Sequence, residues 1–338
     1  MIPNSTAAQT GIGMEYVAEL RDISSPNPQA RRLTDPAEAA RLVQRETLER
    51  LDAIIQAQSG TPVILLSGGV DSILVAAAAV QLGVRPHAIT VVSDTATDGA
   101  NAAAAASALG LPHDVISLTD DTVAGLARES VARLGLPELW EISYAVPLLA
   151  TTQVLNRLGS VGPILMGSGA DAIFAGGRQL RNPVDSPEAV LEMDAAIRKE
   201  SANNFVYDRL IPDFYPRVMG EYADRITLVF QTLRFWELAE TFAPPVFYGV
   251  REGVAVDKLC VRIACEGLLP EPVRQIAWAK KSAIQRSAGI MDALAGAARK
   301  KAAALPGAQT YTDPMTEEWE TVATRLFLAL LANERSNA

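Results

Sequence analysis

Six consecutive residues, Ser67-Gly68-Gly69-Val70-Asp71-Ser72, have the types and spacing needed to hold a chain of phosphates. The two glycines let backbone N–H groups approach an anion, Ser67 and Ser72 add hydroxyls, and the N–H groups of a helix start would face the same point. Asp71 is the informative member. A carboxylate repels phosphate unless a cation lies between them, which argues for Mg2+ and a nucleotide. A second stretch, Gly167-Ser168-Gly169-Ala170-Asp171-Ala172-Ile173-Phe174-Ala175-Gly176-Gly177, is again rich in small residues and again carries one acid. Asp71 and Asp171 together are expected to form a two-carboxylate magnesium site spanning the phosphates.

The elements that must position these residues follow from the hydrophobic pattern. Pro62 to Leu66 is a short apolar run, a strand buried on both faces, and the Ala-rich segment from Ile73 to Leu82 is a helix closed by Gly83. Ala88 to Ser93, Asp114 to Leu118 and Pro163 to Met166 read as further strands. They alternate with helices over 100–109, 122–134 and 144–158. Strand and helix alternating at this spacing predict an α/β fold with a parallel, doubly wound sheet, which binds its ligand beyond the carboxyl ends of the strands. Leu65, Val92, Ser93, Gly167 and Ser168 fall at those ends. They join Ser67, Gly68, Gly69, Asp71 and Ser72 as the expected nucleotide-binding set.

Upstream, Asp35 caps and Pro36 opens a helix that runs to Gly60. We therefore expect an N-terminal extension over 1–35, an α/β core over 36–180, and a mostly helical part over 181–338. In that last part Pro187 to Asn203, Val218 to Phe242, Val254 to Gly267 and Glu317 to Asn333 have helical spacing.

Composition narrows the function. With 30 Lys and Arg against 39 Asp and Glu, the chain carries a net charge of −9 and no basic stripe, which argues against a nucleic-acid partner. No run is long enough to span a membrane, and the N-terminus has no signal pattern, so a cytoplasmic enzyme is expected. Cys260 and Cys265 make no disulfide framework. Their spacing puts them on different sides of a helix, read as distant from the loops, and with His87 and His113 as the two histidines a zinc site is not expected.

The first motif resembles the pyrophosphate loop of the ATP pyrophosphatases, and lacks the Lys-Ser/Thr pair of a Walker loop. Within that superfamily, Gly167 to Gly177 is similar to the loop S-G-x-G-[AS]-D-E-x-F-x-G-G of the synthetase domain of asparagine synthetases and related β-lactam synthetases. A third segment agrees: Leu268-Leu269-Pro270-Glu271-Pro272-Val273-Arg274, then Trp278-Ala279-Lys280-Lys281-Ser282-Ala283-Ile284 and Gly289-Ile290. It is similar to the family's L-P-x-x-[IV] helix and the lysine-bearing loop that follows. The resemblance covers about residues 36 to 295. It implies ATP and Mg2+ as cofactors and an AMP-forming ligase. A carboxylate is adenylated, pyrophosphate leaves, and ammonia or an amine takes the acyl group. It also implies that Lys281, with Lys280 in reserve, stabilises charge as pyrophosphate departs.

Three departures bear on the second step. The earliest cysteine is Cys260, so no glutaminase domain with an N-terminal Cys nucleophile is expected. Nitrogen then comes as free ammonia, as an amine substrate, or from a separate donor protein. Ser168 stands where asparagine synthetases carry Glu and β-lactam synthetases Tyr, and a serine is no general base unaided. Ala172 replaces the second acid of the family's Asp-Glu pair. Glu141 and Tyr144, in a segment before a helix expected to begin near Pro147, are the candidates for the missing base. Two other functions remain open: a sulfur-transfer enzyme using the same loop, and a nucleotide-binding protein without the second half-reaction. The acid, the amine and the oligomeric state are left open.

Overall fold

The computed structural model describes residues 25–94, 96, 99–204, 211, 213–279, 288–307 and 313–336. Its frame is a parallel sheet of β1 (Thr61–Leu65), β2 (His87–Ser93), β3 (His113–Leu118), β4 (Val161–Met166) and β5 (Ile226–Leu228). In space the order is β3-β2-β1-β4-β5. The chain therefore builds outward from β1 in one direction, then crosses to β4 and builds in the other. A crevice opens where the direction reverses, beyond the ends of β1 and β4.

Helices cover both faces, as the apolar strands require. Side chains alternate along a strand. Ile64 and Leu165 thus enter one core while Val63 and Ile164 enter the other. The first core is covered by α1 (Pro36–Ala57), α2 (Val70–Gln81) and α3 (Gly99–Ala108). Under the second lie α4 (Asp120–Leu134) and α5 (Leu139–Leu158). Asp35 caps α1 as expected, accepting from Ala37 N at 2.9 Å, with Pro36 in the first turn.

The second half is helical but not purely so. Next come α6 (Ala170–Ile173), α7 (Pro187–Asn204) and α8 (Phe214–Met219). A 3-10 turn over Gly220–Arg225 leads into β5, which breaks the stretch expected to be helical from Val218 to Phe242. α9 (Leu233–Glu240) and α10 (Pro244–Phe247) follow, then a hairpin of β6 (Gly249–Arg251) and β7 (Val254–Val256). The hairpin replaces the start of the helix expected from Val254. That helix, α11 (Leu259–Leu268), begins only after Lys258 and packs on α1 and α2 inside the first core. A 3-10 segment over Glu271–Trp278, α12 (Ile290–Ala303) and α13 (Trp319–Ser336) complete the described chain.

One further difference touches the site. The segment around Glu138 was expected to precede a helix beginning near Pro147, yet α5 starts at Leu139 and carries Pro147 inside it. Glu138 itself is the cap, accepting from Glu141 N at 2.8 Å. Tertiary burial of α5 outweighs the hydrogen bond that a proline removes.

Candidate functional site

The first motif forms the turn from β1 into α2. Gly68 sits at φ 72°, a left-handed conformation that suits glycine, and α2 begins at Val70, so Asp71 and Ser72 occupy its first turn. The Ser72 hydroxyl fastens the turn. It accepts from Ser67 N at 3.1 Å, lies 3.2 Å from Ser67 Oγ and donates to Gly69 O at 3.1 Å. The hydroxyls expected to contact phosphate thus first hold the loop's own shape. Gly69, at the N-cap of α2, provides no side-chain cap. The helix's leading N–H groups therefore face the crevice with their positive dipole end.

The second motif leaves β4 across the reversal point and lies against the first. Contact is close because Gly167 has no side chain: a Cβ there would sit 2.8 Å from Ser72 N and 2.9 Å from Asp71 C. Gly176 lies against Asp171 for the same reason, since a Cβ there would fall 2.0 Å from Asp171 Oδ1. Both acids are thereby brought to one point.

At that point stands a residue the sequence did not flag. Lys258, in the left-handed conformation at φ 50° and the N-cap of α11, is buried. Its Nζ donates to Asp71 Oδ1 at 2.9 Å, Asp71 Oδ2 at 2.8 Å and Asp171 Oδ1 at 2.5 Å. Burial by itself lowers the pKa of an ammonium. The Asp71 and Asp171 carboxylates outweigh that, so Lys258 is held above its ordinary value and stays charged. This bears on magnesium. Three of the four carboxylate oxygens face the ammonium, and the described residues hold no group of three His, Cys, Asp or Glu arranged for a metal. Mg2+ takes about six oxygens in octahedral array, so the pair as folded does not fit a protein-held magnesium ion.

The neighbouring residue ties the third motif to the same place. Asp257 accepts from Gly177 N at 2.5 Å and from Arg262 Nη2 at 2.8 Å. Arg262 Nη1 in turn donates to Ala277 O and Ala279 O, each at 3.0 Å. Burial raises a carboxyl pKa, but the Arg262 hydrogen bond and the Gly177 N–H more than offset it, keeping Asp257 below the usual range and ionised. Lys280 and Lys281 lie outside the described residues. The described chain stops at Ala279, on the Arg262 clamp, and resumes at Ala288, whose carbonyl accepts from Ser93 N at 2.9 Å. Ser93, Val92 and Leu65 all sit at the carboxyl ends of their strands, as expected.

Tyr144 reaches the second motif from α5. Its hydroxyl lies 3.3 Å from Ser168 Oγ and 3.2 Å from the hydroxyl of Tyr215 on α8, and its ring stacks on Phe214. Tyr215 was not anticipated. Glu141, one turn earlier on α5, is buried. The cysteines are nearer the site than expected, since Cys260 follows Lys258 by two positions and α11 packs on α2. Both are fully buried, and burial pushes the Cys260 thiol up to about 12 and the Cys265 thiol higher still. Thiols in that state are poor nucleophiles.

A comparison with protein families matches residues 46–225 to asparagine synthase, a span containing both loops and strands β1 to β4 of the sheet. The chain belongs to the asparagine synthase family. Members of this family use ATP, usually with Mg2+, in adenylation and amidation chemistry. A search of curated proteins finds no match. Among solved structures, NMN synthetase from Francisella tularensis aligns at 16% identity and a TM-score of 0.31, over 61% of this chain and 93% of that one. At that level of likeness nothing of its substrate carries over to this family member. Among the described residues, no helix is long and apolar enough to cross a membrane.

Proposed function

We propose that this asparagine synthase family member is an AMP-forming C–N ligase that adenylates a substrate carboxylate and passes the acyl group to ammonia or an amine. The carboxylate oxygen attacks the α-phosphorus of ATP, the bond to the β-phosphate oxygen breaks, and pyrophosphate leaves. The amine then attacks the acyl carbon and AMP departs. What supports this most is the packing of the two loops at the sheet's reversal point, which gathers Asp71, Asp171 and the bare start of α2 in one crevice.

In the first step the N–H groups of the phosphate loop and the first turn of α2 bind and orient the phosphates. Lys281, or Lys280 in its stead, stabilises the departing charge. Residues placed for the second step are Tyr144, Ser168 and Tyr215, whose hydroxyls adjoin. In this reading the Tyr144 oxygen takes the amine proton while its own proton passes to the Ser168 or Tyr215 hydroxyl, which releases its proton to solvent. Sulfur transfer is disfavoured because both thiols are buried and held protonated. For the same reason neither thiol serves to hydrolyse glutamine, and the nitrogen donor for this chain is ammonia or an amine.

The test is the nucleotide product. Incubation with ATP, candidate acids and ammonium or amines should give AMP and pyrophosphate in equal amounts by chromatography. Stoichiometric ADP would sink the reading. Release of AMP and pyrophosphate without any amide would favour the protein that lacks the second half-reaction.

A further inference from the structure

We propose that Lys258 is the resident cation of this site: its ammonium holds the position between Asp71 and Asp171 and excludes a free divalent ion from the nucleotide-free protein. Any divalent cation at this crevice then arrives with the nucleotide, bound to its phosphates, and is not stored beforehand on the protein. The proposal rests on reading the crevice as a nucleotide site, but its test needs no turnover.

Donor and acceptor counts support it first. An ammonium has three N–H donors, and here three carboxylate oxygens receive them, at 2.5 to 2.9 Å. An incoming ion would have to strip all three bonds from a lysine that has no route to water, since Lys258 is 2% exposed. Charge supports it next. Asp71 is itself 2% exposed, and a buried carboxylate deprived of its partner is strongly unfavourable, so Lys258 and Asp71 require each other. Local backbone is the third support. Lys258 is a non-glycine residue at φ 50°, a conformation that costs about 1 kcal/mol or more and persists where surrounding structure imposes it. The surroundings here are the Asp257 clamp on Gly177 before it and helix α11 after it, which fix where the side chain starts. Finally, Gly176 packs so closely on Asp171 that a Cβ there would fall on Oδ1, the same oxygen that the ammonium holds.

Manganese serves as the probe, followed by electron paramagnetic resonance or by calorimetry on the whole chain without nucleotide. Wild type should take up no Mn2+ below about millimolar concentration, since a carboxylate pair already engaged by an ammonium offers too few ligands. Lys258→Met should bind one Mn2+ at least about tenfold more tightly, because it removes the buried ammonium that competes for both acids. Adding Asp171→Asn to that variant should abolish the gain. Lys258→Met that folds and gains nothing would overturn the proposal. Should Lys258→Met fail to fold, wild type decides: a stoichiometric micromolar Mn2+ site that Asp71→Asn removes means that the ammonium does not exclude the ion. An adenylating enzyme with such a site would leave the proposed function standing and this proposal refuted.

Discussion

Two buried ion networks in this chain differ in a way that separates stability from chemistry. In one, Arg31 and Asp194 pair at 2.7 Å, Arg198 pairs with Asp194 at 2.9 Å, and Arg198 also pairs with Glu240. Among the described residues, two guanidinium groups there meet two carboxylates. Arg31 donates further to Ala239 O and Phe242 O, with one nitrogen, Nη2, left without a partner, and Arg198 lies over the Trp236 ring at 5.4 Å. This network joins the segment before α1 to α7 and α9. In the other network, among the described residues, the Lys258 ammonium lies between the Asp71 and Asp171 carboxylates. Its Asp171 side chain is 53% exposed, at the carboxyl ends of the strands. An enclosed network serves to fasten elements together. A network open on one side, at the crevice, is placed to meet something that binds.

Substitutions can break that contrast, and the largest effect should fall on the closed network. Asp194→Ala strands two buried guanidinium groups and should cost about 3–5 kcal/mol of stability, read from urea unfolding. Turnover per folded molecule should stay near wild type. A hundredfold loss of turnover with stability intact would show that this network is not the structural one.

The open network should respond in rate. Asp71→Asn should lower kcat by at least about a hundredfold, equivalent to about 2.7 kcal/mol of transition-state stabilisation. Circular dichroism should show a folded protein, because Lys258 keeps its ion pair with Asp171. Near-normal turnover removes Asp71 from the site.

Gly176→Ala sharpens the contrast without touching any charge. The new Cβ would meet Asp171 Oδ1 at 2.0 Å, so the carboxylate must shift. Turnover should fall about tenfold or more through misplacement, with the midpoint of thermal unfolding less affected than in Asp194→Ala. An unchanged rate would mean that Asp171 need not be held where it is.

Tyr144→Phe divides the two half-reactions. It should leave isotope exchange between ATP and pyrophosphate within about threefold of wild type while amide formed per AMP drops about tenfold. Glu141→Gln is the control. If Glu141→Gln, and not Tyr144→Phe, traps the acyl-adenylate, the proton goes to Glu141.

The smallest effect is one of pH, again on the closed network. Burial pushes the Asp194 carboxyl up, but hydrogen bonds from Arg198 and from Asn27 N–H, with the charge of Arg31, more than offset it and hold it below its ordinary value. A folded pKa below the unfolded value gives stability that is present above the unfolded value, about 3.9, and lost as pH falls through the folded one. Thermal unfolding between pH 2 and pH 6 should show that loss on the acid side in wild type, and less of it in Asp194→Ala. Parallel profiles would exclude Asp194 as its source.

Sequence alone determined whatever could be read within one contiguous segment. The phosphate loop, the strand before it and the helix after it are neighbours in the chain, so residue types and hydrophobic period were enough to place Ser67 to Ser72. The same holds for Gly167 to Gly177 after β4, and for the parallel sheet, which follows from strands alternating with helices. The expectations that failed lay where tertiary packing overrode local preference. Pro147 marked a helix start but sits inside a buried α5, and the stretch from Val254 formed a hairpin strand before its helix. Tertiary structure also decided which cation meets the two acids. Lys258 lies 187 residues from Asp71 and 87 from Asp171, and in the sequence it is a lysine like any other. Its charge acquires meaning only through burial against two carboxylates, and burial is a property of the folded chain.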